Sequence, residues 1–138
     1  MTVSLAALPK GHEFAETRVE LTRGWLCQYL AAVEDHTTSP STVPPLALAT
    51  LSIKALLAQA ELPDGAIHVS QEAHFWLEAA PAGALVAKAR IGSRGERAGW
   101  VLMGVELEIE DETGTMVMNG RATITFPSVL RNAGHAED

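Results

Sequence analysis

The chain has 138 residues, of which 47% are hydrophobic, and a formal net charge of −7. This length fits one domain with a single core. With only ten lysines and arginines, the chain lacks the basic clusters that neutralise nucleic-acid phosphates. No apolar run approaches the roughly 20 residues that cross a bilayer, and the first residues lack the layout of a signal peptide. We therefore expect a cytoplasmic protein that binds neither nucleic acid nor membranes.

The first quarter of the chain predicts an edge strand followed by a helix. Residues 1–12 are predicted to be a disordered or loosely docked lead. Polar and apolar residues alternate from Phe14 to Leu21, which predicts a half-buried edge strand. Thr22 is a residue type that caps helices, and a helix is predicted from about Arg23 to Glu34. Apolar residues at helical spacing predict one buried stripe on it, formed by Trp25, Leu26, Tyr29, Leu30 and Val33.

The segment from Pro44 to Ala60 is apolar almost all the way round a helix. Its two prolines can begin a helix, because the first turn leaves N–H groups unpaired in any case. A helix without a polar face must be surrounded by protein, so the sequence predicts a central helix enclosed by a sheet. The Ser-, Thr- and Pro-rich stretch from Asp35 to Val43 is predicted to be a loop.

The chain after the central helix alternates in the manner of strands. Four strands begin near Ile67, Leu85, Val101 and Met116. Turn residues at 63–65 precede the first strand, those at 81–83 lie before the second, and those at 111–114 lie before the fourth. On the first strand, Ile67, Val69, Ala73, Phe75 and Leu77 are predicted to face the core, with His68, His74 and Trp76 on the other face. Together with the earlier edge strand, they predict a five-stranded antiparallel sheet wrapped around a central apolar helix. This α+β arrangement is the hot-dog fold.

Four stretches in a fixed order give the chain a resemblance to one family. They are Tyr29–Asp35, Val43–Leu46, Phe75–Gly83 and the closing stretch from Glu110 to Pro127. With them the chain resembles the MaoC-like hot-dog family, including its fatty-acid-synthase-type dehydratase branch, over about residues 14–127. The resemblance implies reversible hydration of a trans-2-enoyl group carried as a thioester on coenzyme A or acyl carrier protein.

The catalytic residues of active members are an Asp and a His five positions later, in an Asp-x-Asn-Pro-x-His pattern before the central helix. Adding water across a double bond needs one group to activate the water and another to handle the α-carbon proton. Asp35 matches the Asp, but Thr37 stands in the Asn position and Pro40 in the His position. The resemblance therefore implies Asp35 as the base, with His36 as a displaced partner in place of the missing imidazole.

The substrate-binding residues that the resemblance implies lie at the helix entrance and in a basic cluster. In the family a backbone N–H near the helix N-terminus polarises the thioester carbonyl, and here the entrance consists of Val43, Pro44, Pro45, Leu46 and Ala47. Because proline has no N–H, Leu46 or Ala47 must donate. Arg94 and Arg97 either form a solvated hairpin tip or grip the phosphates of coenzyme A. No cofactor and no metal are predicted, since His68 and His74 fall short of the three ligands that a metal site needs.

Three functions are compatible with the sequence. The first is a hydratase or dehydratase with an altered catalytic loop. The second is a catalytically silent hot-dog subunit that shapes an acyl tunnel and pairs with an active homologue. The third is a thioesterase or acyl-CoA-binding protein in which Asp35 orients water. In each case a homodimer, or a heteromer with a second hot-dog chain, is expected, because pairing two sheets covers an open edge.

Overall fold

The structure, a computed structural model, describes residues 2–78 and 83–128. Its elements in chain order are β1 (Val3–Ser4), β2 (Thr17–Glu20), α1 (Arg23–Ala32), α2 (Pro45–Leu57), β3 (Ala60–Glu61), β4 (Ile67–Phe75), β5 (Ala84–Arg97), β6 (Trp100–Asp111) and β7 (Met116–Pro127). The order β2-β5-β6-β7-β4 forms an antiparallel sheet, and β1 pairs in parallel with β3. The predicted five-stranded sheet is thus confirmed. The predicted 81–83 turn, apart from Gly83, and the tail after Ser128 lie outside the described residues.

The core fills the space between α2 and one face of the sheet. Inward-facing side chains of the three longest strands are buried there, among them Ile91, Val105, Ile109, Met118 and Phe126. The opposite face of the sheet is charged. On it Lys88 Nζ lies 3.1 Å from Glu110 Oε2, and Arg90 Nε lies 2.6 Å from Glu106 Oε2. The sheet therefore has one dry and one wet face, as the alternation predicts.

The N-terminal segment is part of the core, so the prediction of a loose lead over residues 1–12 was wrong. Leu5 is fully buried and Leu8 nearly so, in a cluster with Leu56 and Phe126. Arg94 Nη1 donates to the Leu8 carbonyl oxygen at 2.9 Å. The segment is held because its two leucines, three positions apart, cover one end of the sandwich between α2 and the sheet.

Helix α1 begins where the sequence predicts and ends two residues earlier. The Trp25 N–H donates to Thr22 Oγ1 at 3.0 Å, which confirms the cap. After Ala32 the chain turns: Glu34 has φ of 56°, and the Asp35 N–H donates to the Leu30 carbonyl at 2.9 Å. This is the left-handed ending that closes many helices. It leaves Val33 53% exposed, so the predicted buried stripe is confirmed at Leu26 and Leu30 and wrong at Val33.

Helix α2 is buried on one side only. Ala47, Leu48, Leu51, Ser52 and Leu56 are buried, whereas Leu46 is 66% exposed and Leu57 43% exposed. The prediction that this helix is enclosed all round was therefore wrong for a single chain. The sheet packs against α2 through β5 and β6 and leaves the side next to β4 open.

A β-bulge in β4 reverses the predicted facing of its first residues. His68 is paired with Ile124 and Ser70 with Thr123, so Val69 is an extra residue in the strand. Directly paired residues share a face, which places His68 with Ile124 on the helix side. Ile67 and Val69 are each 54% exposed, contrary to the prediction. Beyond the bulge the predicted facing is confirmed, since Phe75 pairs with Met118 on the core face.

Candidate functional site

A cleft lies at the N-terminus of α2, and we call it the entrance cleft. Its volume is about 690 Å³. One wall is the end of the loop before α2, and the other is the chain leaving β4. The lining residues are Thr38, Ser41, Thr42, Val43, Pro44, Pro45, Leu48, Phe75, Trp76, Leu77 and Glu78. The cleft thus combines a polar loop, a helix N-terminus and an apolar wall.

Asp35 anchors the loop beside this cleft. Its Oδ1 accepts hydrogen bonds from the Thr37 N–H, the Thr37 hydroxyl and the Thr38 N–H, each at 3.0 Å. Its Oδ2 accepts from the Thr38 hydroxyl at 2.5 Å. These bonds, the Thr38 hydroxyl first, hold the pKa of the Asp35 carboxyl far below its ordinary value of 3.8. The carboxylate is therefore permanently ionised at neutral pH, and both of its oxygens accept hydrogen bonds from the loop.

His36, the predicted partner of Asp35, lies on the exposed side of the loop. The four hydrogen bonds to Asp35 come from Thr37 and Thr38, and none comes from the His36 ring. Pro40, at the position of the family's histidine, is half-buried. The structure therefore brings Asp35 and His36 together only as neighbours in sequence.

The helix entrance contains a free backbone donor at Leu46. Val43 and Ala47 are buried in the core, and Pro44 precedes the helix with ψ of 139°. The Ala47 N–H donates to the Pro44 carbonyl at 3.0 Å, and Pro45 has no N–H. Among the described residues, none accepts a hydrogen bond from the Leu46 N–H. Of the two donors that the sequence allows, Leu46 is therefore the one available to a ligand.

Arg94 and Arg97 lie at the other end of the sheet. Arg97 is paired with Trp100 beside a two-residue turn, in which Ala98 and Gly99 have φ of 54° and 82°. The entrance cleft is lined by Phe75 of β4. Phe75 is paired with Met118 of β7, and Met118 is paired with Ile109 of β6, so the cleft lies near the Ile109 end of β6. Nine residues of β6 separate Ile109 from Trp100, or about 30 Å. Within one chain, these arginines and the helix entrance do not form a common site.

Sequence reasoning missed the residues that hold Asp35. Thr37 enters the sequence-based prediction only as a departure from the family pattern, and Thr38 does not enter it. An Asp followed by Thr at the second and third positions is itself a signal for a turn closed by side-chain hydrogen bonds. The same device recurs where Asp111 Oδ1 accepts from the N–H groups of Thr113 and Thr115 at 2.9 and 3.0 Å.

A second concave surface runs along the open side of α2, and we call it the α2 groove. It has a volume of about 800 Å³ and is mainly apolar. Leu46, Ile53 and Leu57 line one side, and His68 and Gln71 of β4 the other. His68 Nε2 lies 3.1 Å from Gln71 Oε1. The bulge at Val69 turns both side chains inward, and the sequence has no pattern that signals it.

Neither a membrane helix nor a metal centre is evident in the described ranges. Within residues 2–78 and 83–128, no helix combines the length and the apolar character needed to cross a bilayer. In the same part of the chain, no three His, Cys, Asp or Glu side chains are grouped as metal ligands.

Comparison with known proteins finds relatives in structure. No family model and no curated protein matches the sequence. The (R)-hydratase from A. caviae involved in PHA biosynthesis superposes with a TM-score of 0.70 at 18% identity, covering 88% of this chain and 98% of that chain. The MaoC-like dehydratase from Rhodospirillum rubrum gives 0.71 at 13% identity, covering 91% and 97%.

A two-protein assembly is also among the matches. The C-terminally truncated HadBC (3R-hydroxyacyl-ACP dehydratase) complex from Mycobacterium tuberculosis superposes with a TM-score of 0.66 at 16% identity, covering 88% of this chain and all 100% of that chain. At these identities the likeness is one of fold. The chain has the hot-dog fold, in the form found in MaoC-like (R)-hydratases and 3-hydroxyacyl-ACP dehydratases.

Proposed function

We propose that the chain binds an acyl thioester in the entrance cleft and acts in its hydration or dehydration. The reaction adds the oxygen of water to the β-carbon of a trans-2-enoyl group and a proton to the α-carbon, or runs in reverse. The observation that carries the proposal is the Leu46 N–H at the start of α2, next in sequence to Pro44 and Pro45 of the cleft lining. Phe75 and Leu77 form the apolar wall of the cleft, and Leu46 itself lines the neighbouring α2 groove. The fold shared with known hydratases and dehydratases supports it.

The Leu46 N–H is suited to the thioester carbonyl. As water adds, negative charge develops on that oxygen, and a preorganised N–H stabilises it. The positive end of the α2 dipole acts in the same direction. Pro44 and Pro45 offer no N–H, and the Ala47 N–H is committed to Pro44. One backbone donor would therefore provide most of this stabilisation.

The entrance cleft is less well equipped for proton transfer, because its candidate base, Asp35, is strongly hydrogen-bonded. A general base works best when its pKa lies near the working pH, and hydrogen bonds from Thr38 and Thr37 hold the pKa of Asp35 far below it. This observation favours a second candidate function, a subunit that binds the acyl group while a homologous chain supplies the acid and base. The HadBC dehydratase, which shares the fold, is itself a complex.

Loss of the enoyl absorbance of crotonyl-CoA tests whether the purified chain is a hydratase. If Asp35 is the base, Asp35→Asn lowers kcat/KM by about a hundredfold or more, and His36→Ala by a comparable factor if the imidazole takes part. Activity that survives both substitutions would assign the chemistry to other groups. Turnover that appears only after a second hot-dog chain is added would support the silent subunit. Release of free thiol from acyl-CoA would identify a thioesterase instead.

A pair of substitutions at residue 46 tests the role of the backbone donor. Leu46→Pro removes the N–H in a turn that tolerates proline, and Leu46→Ala keeps the N–H while removing the exposed side chain. We expect Leu46→Pro to lower kcat/KM by about a hundredfold and Leu46→Ala to change it less than threefold. Circular dichroism checks that α2 is intact in both. Equal effects of the two substitutions would exclude the Leu46 N–H as the carbonyl donor.

A further inference from the structure

A small cavity lies beside the α2 groove, and we call it the inner cavity. Its volume is about 110 Å³, against about 800 Å³ for the groove. It is bounded by the second half of α2, the segment leading into β4, and β7. Its lining residues are Ile53, Leu56, Leu57, Leu62, Ala66, His68, Ala122 and Ile124. Among these described residues His68 alone is polar, so the inner cavity suits hydrocarbon better than water.

Three side chains line both cavities and therefore stand between them. Ile53 and Leu57 lie one turn apart on the same face of α2, and His68 of β4 lies opposite. The position of His68 depends on the bulge at Val69, which turns its side chain to the helix side. The imidazole thus closes the α2 groove toward the inner cavity from the side of the strand.

Gln71 holds the His68 ring in this position. The Gln71 amide Nε2 donates to the Glu72 carbonyl at 3.3 Å, which leaves Gln71 Oε1 to accept. His68 Nε2 lies 3.1 Å from that oxygen and is therefore the donor of the pair. Both residues are exposed and line the groove. A hydrogen bond, and not burial in the core, thus fixes the ring, and the ring can be changed without loss of core packing.

The α2 groove begins where the proposed thioester carbonyl would lie. Leu46 provides the free N–H at the helix entrance and also lines the groove with its side chain. From Leu46 to Leu57 the helix rises about 16 Å, along a mainly apolar surface. The neighbouring entrance cleft has polar residues in its lining, among them Thr38 and Ser41. The groove therefore suits a hydrocarbon chain, and the cleft suits the amide-bearing arm of a carrier.

We propose that the acyl chain of the thioester lies in the α2 groove and that His68 ends this site, so that His68 sets the longest acyl chain that is bound along its whole length. The inference rests on the proposed function and deepens it. With the imidazole in place, methylene groups beyond it stay in water. Without it, they enter the inner cavity. A dry cavity of about 150 Å³ holds a benzene molecule, so the 110 Å³ of the inner cavity is room for several methylene groups.

Binding of saturated acyl-CoA of increasing chain length tests the proposal without turnover, because these thioesters have no double bond to hydrate. Calorimetry gives Kd for each length from butanoyl to dodecanoyl. In the wild-type chain, each added methylene should tighten binding by about twofold to fourfold until the acyl chain reaches His68, and no further. In His68→Ala the tightening should continue for about two more methylene groups, which makes Kd about tenfold lower for the longer acyl chain.

Two substitutions serve as matched controls. His68→Phe keeps an aromatic ring between the groove and the inner cavity and should keep the wild-type length limit. His74→Ala removes an imidazole from the same strand on the wet face, where His74 is paired with Asn119, and should also keep it. Circular dichroism and thermal unfolding check the fold of each variant. A length limit that moves equally in His68→Ala and His74→Ala would contradict the role of His68.

Further substitutions separate the inner cavity from the residue that positions the ring. Ala66→Leu combined with His68→Ala fills the inner cavity and should restore the wild-type limit. Gln71→Leu removes the acceptor that holds the imidazole and should move the limit in the same direction as His68→Ala, by a smaller amount. Gln71→Glu keeps an acceptor oxygen and should leave the limit in place. Because these readouts concern chain length, a general loss of stability would not imitate them.

The outcomes distinguish this inference from the proposed function. Binding of acyl-CoA with the same length limit in the wild-type chain and in folded His68→Ala would overturn the inference and leave thioester binding standing. Absence of binding at every length would reject both. An affinity that does not depend on length, or that weakens as the protein associates at high concentration, would show that the groove is occupied by something other than the acyl chain. A shifted limit in His68→Ala without any crotonyl-CoA turnover would support the acyl site and reject hydration.

Discussion

Leucines lie on both sides of α2, but the two sides have opposite surroundings. On the side toward β5 and β6, Ala47, Leu51 and Leu56 are almost completely buried. On the side toward β4, Leu46 and Leu57 are largely exposed. An apolar helix in a sequence therefore shows that cover is needed, but it does not show whether the same chain provides it. Here one side is sealed by the sheet, and the other is left for a ligand or a second chain.

Truncation of a side chain on the sealed side of α2 should have the largest effect. Leu51 is 3% exposed, and Leu51→Ala removes its packing and leaves a cavity. We expect a loss of about 2–5 kcal/mol in the free energy of unfolding, measured by urea denaturation. Leu46→Ala, on the open side, should cost less than about 0.5 kcal/mol at protein concentrations where the chain is monomeric.

Leu51→Ala and Leu46→Ala also distinguish the sealed side of α2 from its open side when the protein concentration is raised. If a second copy covers the open side, the effect of Leu46→Ala should grow with protein concentration, because dimerisation stabilises the folded state by mass action. The effect of Val33→Ala, on the exposed end of α1, should not. A concentration-independent loss at Leu46 equal to that at Leu51 would show that the two sides of α2 do not differ.

The next effect concerns the seam between β4 and the sheet. A Cβ on Gly120 would overlap the backbone carbonyl of Glu72, so Gly120→Ala forces β4 away from β7. We expect a loss of about 1–3 kcal/mol, with faster amide exchange in β4 than in β5. At Gly95 nothing lies within 4 Å of an added Cβ, so Gly95→Ala is the control and should be close to neutral. Equal destabilisation by the two variants would mean that β4 is not closely packed at this seam.

Much of the fold could be predicted from the sequence because it follows from periodic patterns. The alternation in β5, β6 and β7 identifies the dry face, and Thr22 marks the start of α1. The bulge at Val69 could not be predicted, because one extra residue in an alternating strand changes no local pattern and only reverses which side chains face inward. The burial of Leu5 was missed for a related reason, since its cover comes from Leu56 and Phe126, far along the chain.

For the candidate site, the sequence indicated which segments to inspect but not the hydrogen bonds within them. The resemblance directs attention to Asp35 and to the entrance of α2, and the structure places both beside one cleft. Whether an Asp serves as a base or as an anchor depends on how many donors reach its oxygens. Thr37 and Thr38 supply four hydrogen bonds, a number set by the path of the loop. The spacing of these residues in the sequence could not predict that number.

A smaller effect is expected at the left-handed residue that leads from α1 into this loop. Glu34 has φ of 56°, a conformation that costs an L-residue about 1 kcal/mol and costs glycine almost nothing. Because glycine also makes the unfolded chain more flexible, Glu34→Gly should stabilise the fold by about 0.5 kcal/mol. The control Ala31→Gly, inside α1, should destabilise it by about 1 kcal/mol. Thermal unfolding measures both, and effects of the same sign would show that residue 34 is not left-handed in solution.

The most local effect concerns protonation of Asp35. Because its pKa is lowered in the folded state, the hydrogen bonds of Thr37 and Thr38 stabilise the loop at pH values above the ordinary 3.8 and lose this effect as the pH falls through the depressed value. At pH 3.8 the carboxyl ¹³C shift of Asp35 should still be that of a carboxylate. The pKa of Asp111 is lowered by hydrogen bonds from Thr113 and Thr115, so Asp111 should titrate below the ordinary range of an aspartate. In the wild-type chain, hydrogen exchange of the Thr37 and Thr38 amides should become faster only in solutions more acidic than pH 3.8. In Asp35→Asn, the exchange of the same amides should be fast at every pH, once the rates are corrected for the intrinsic exchange of an unprotected amide. Titration of Asp35 near pH 4 or above would mean that the loop releases the carboxylate in solution, and Asp35 would then regain the basicity that its proposed catalytic role requires.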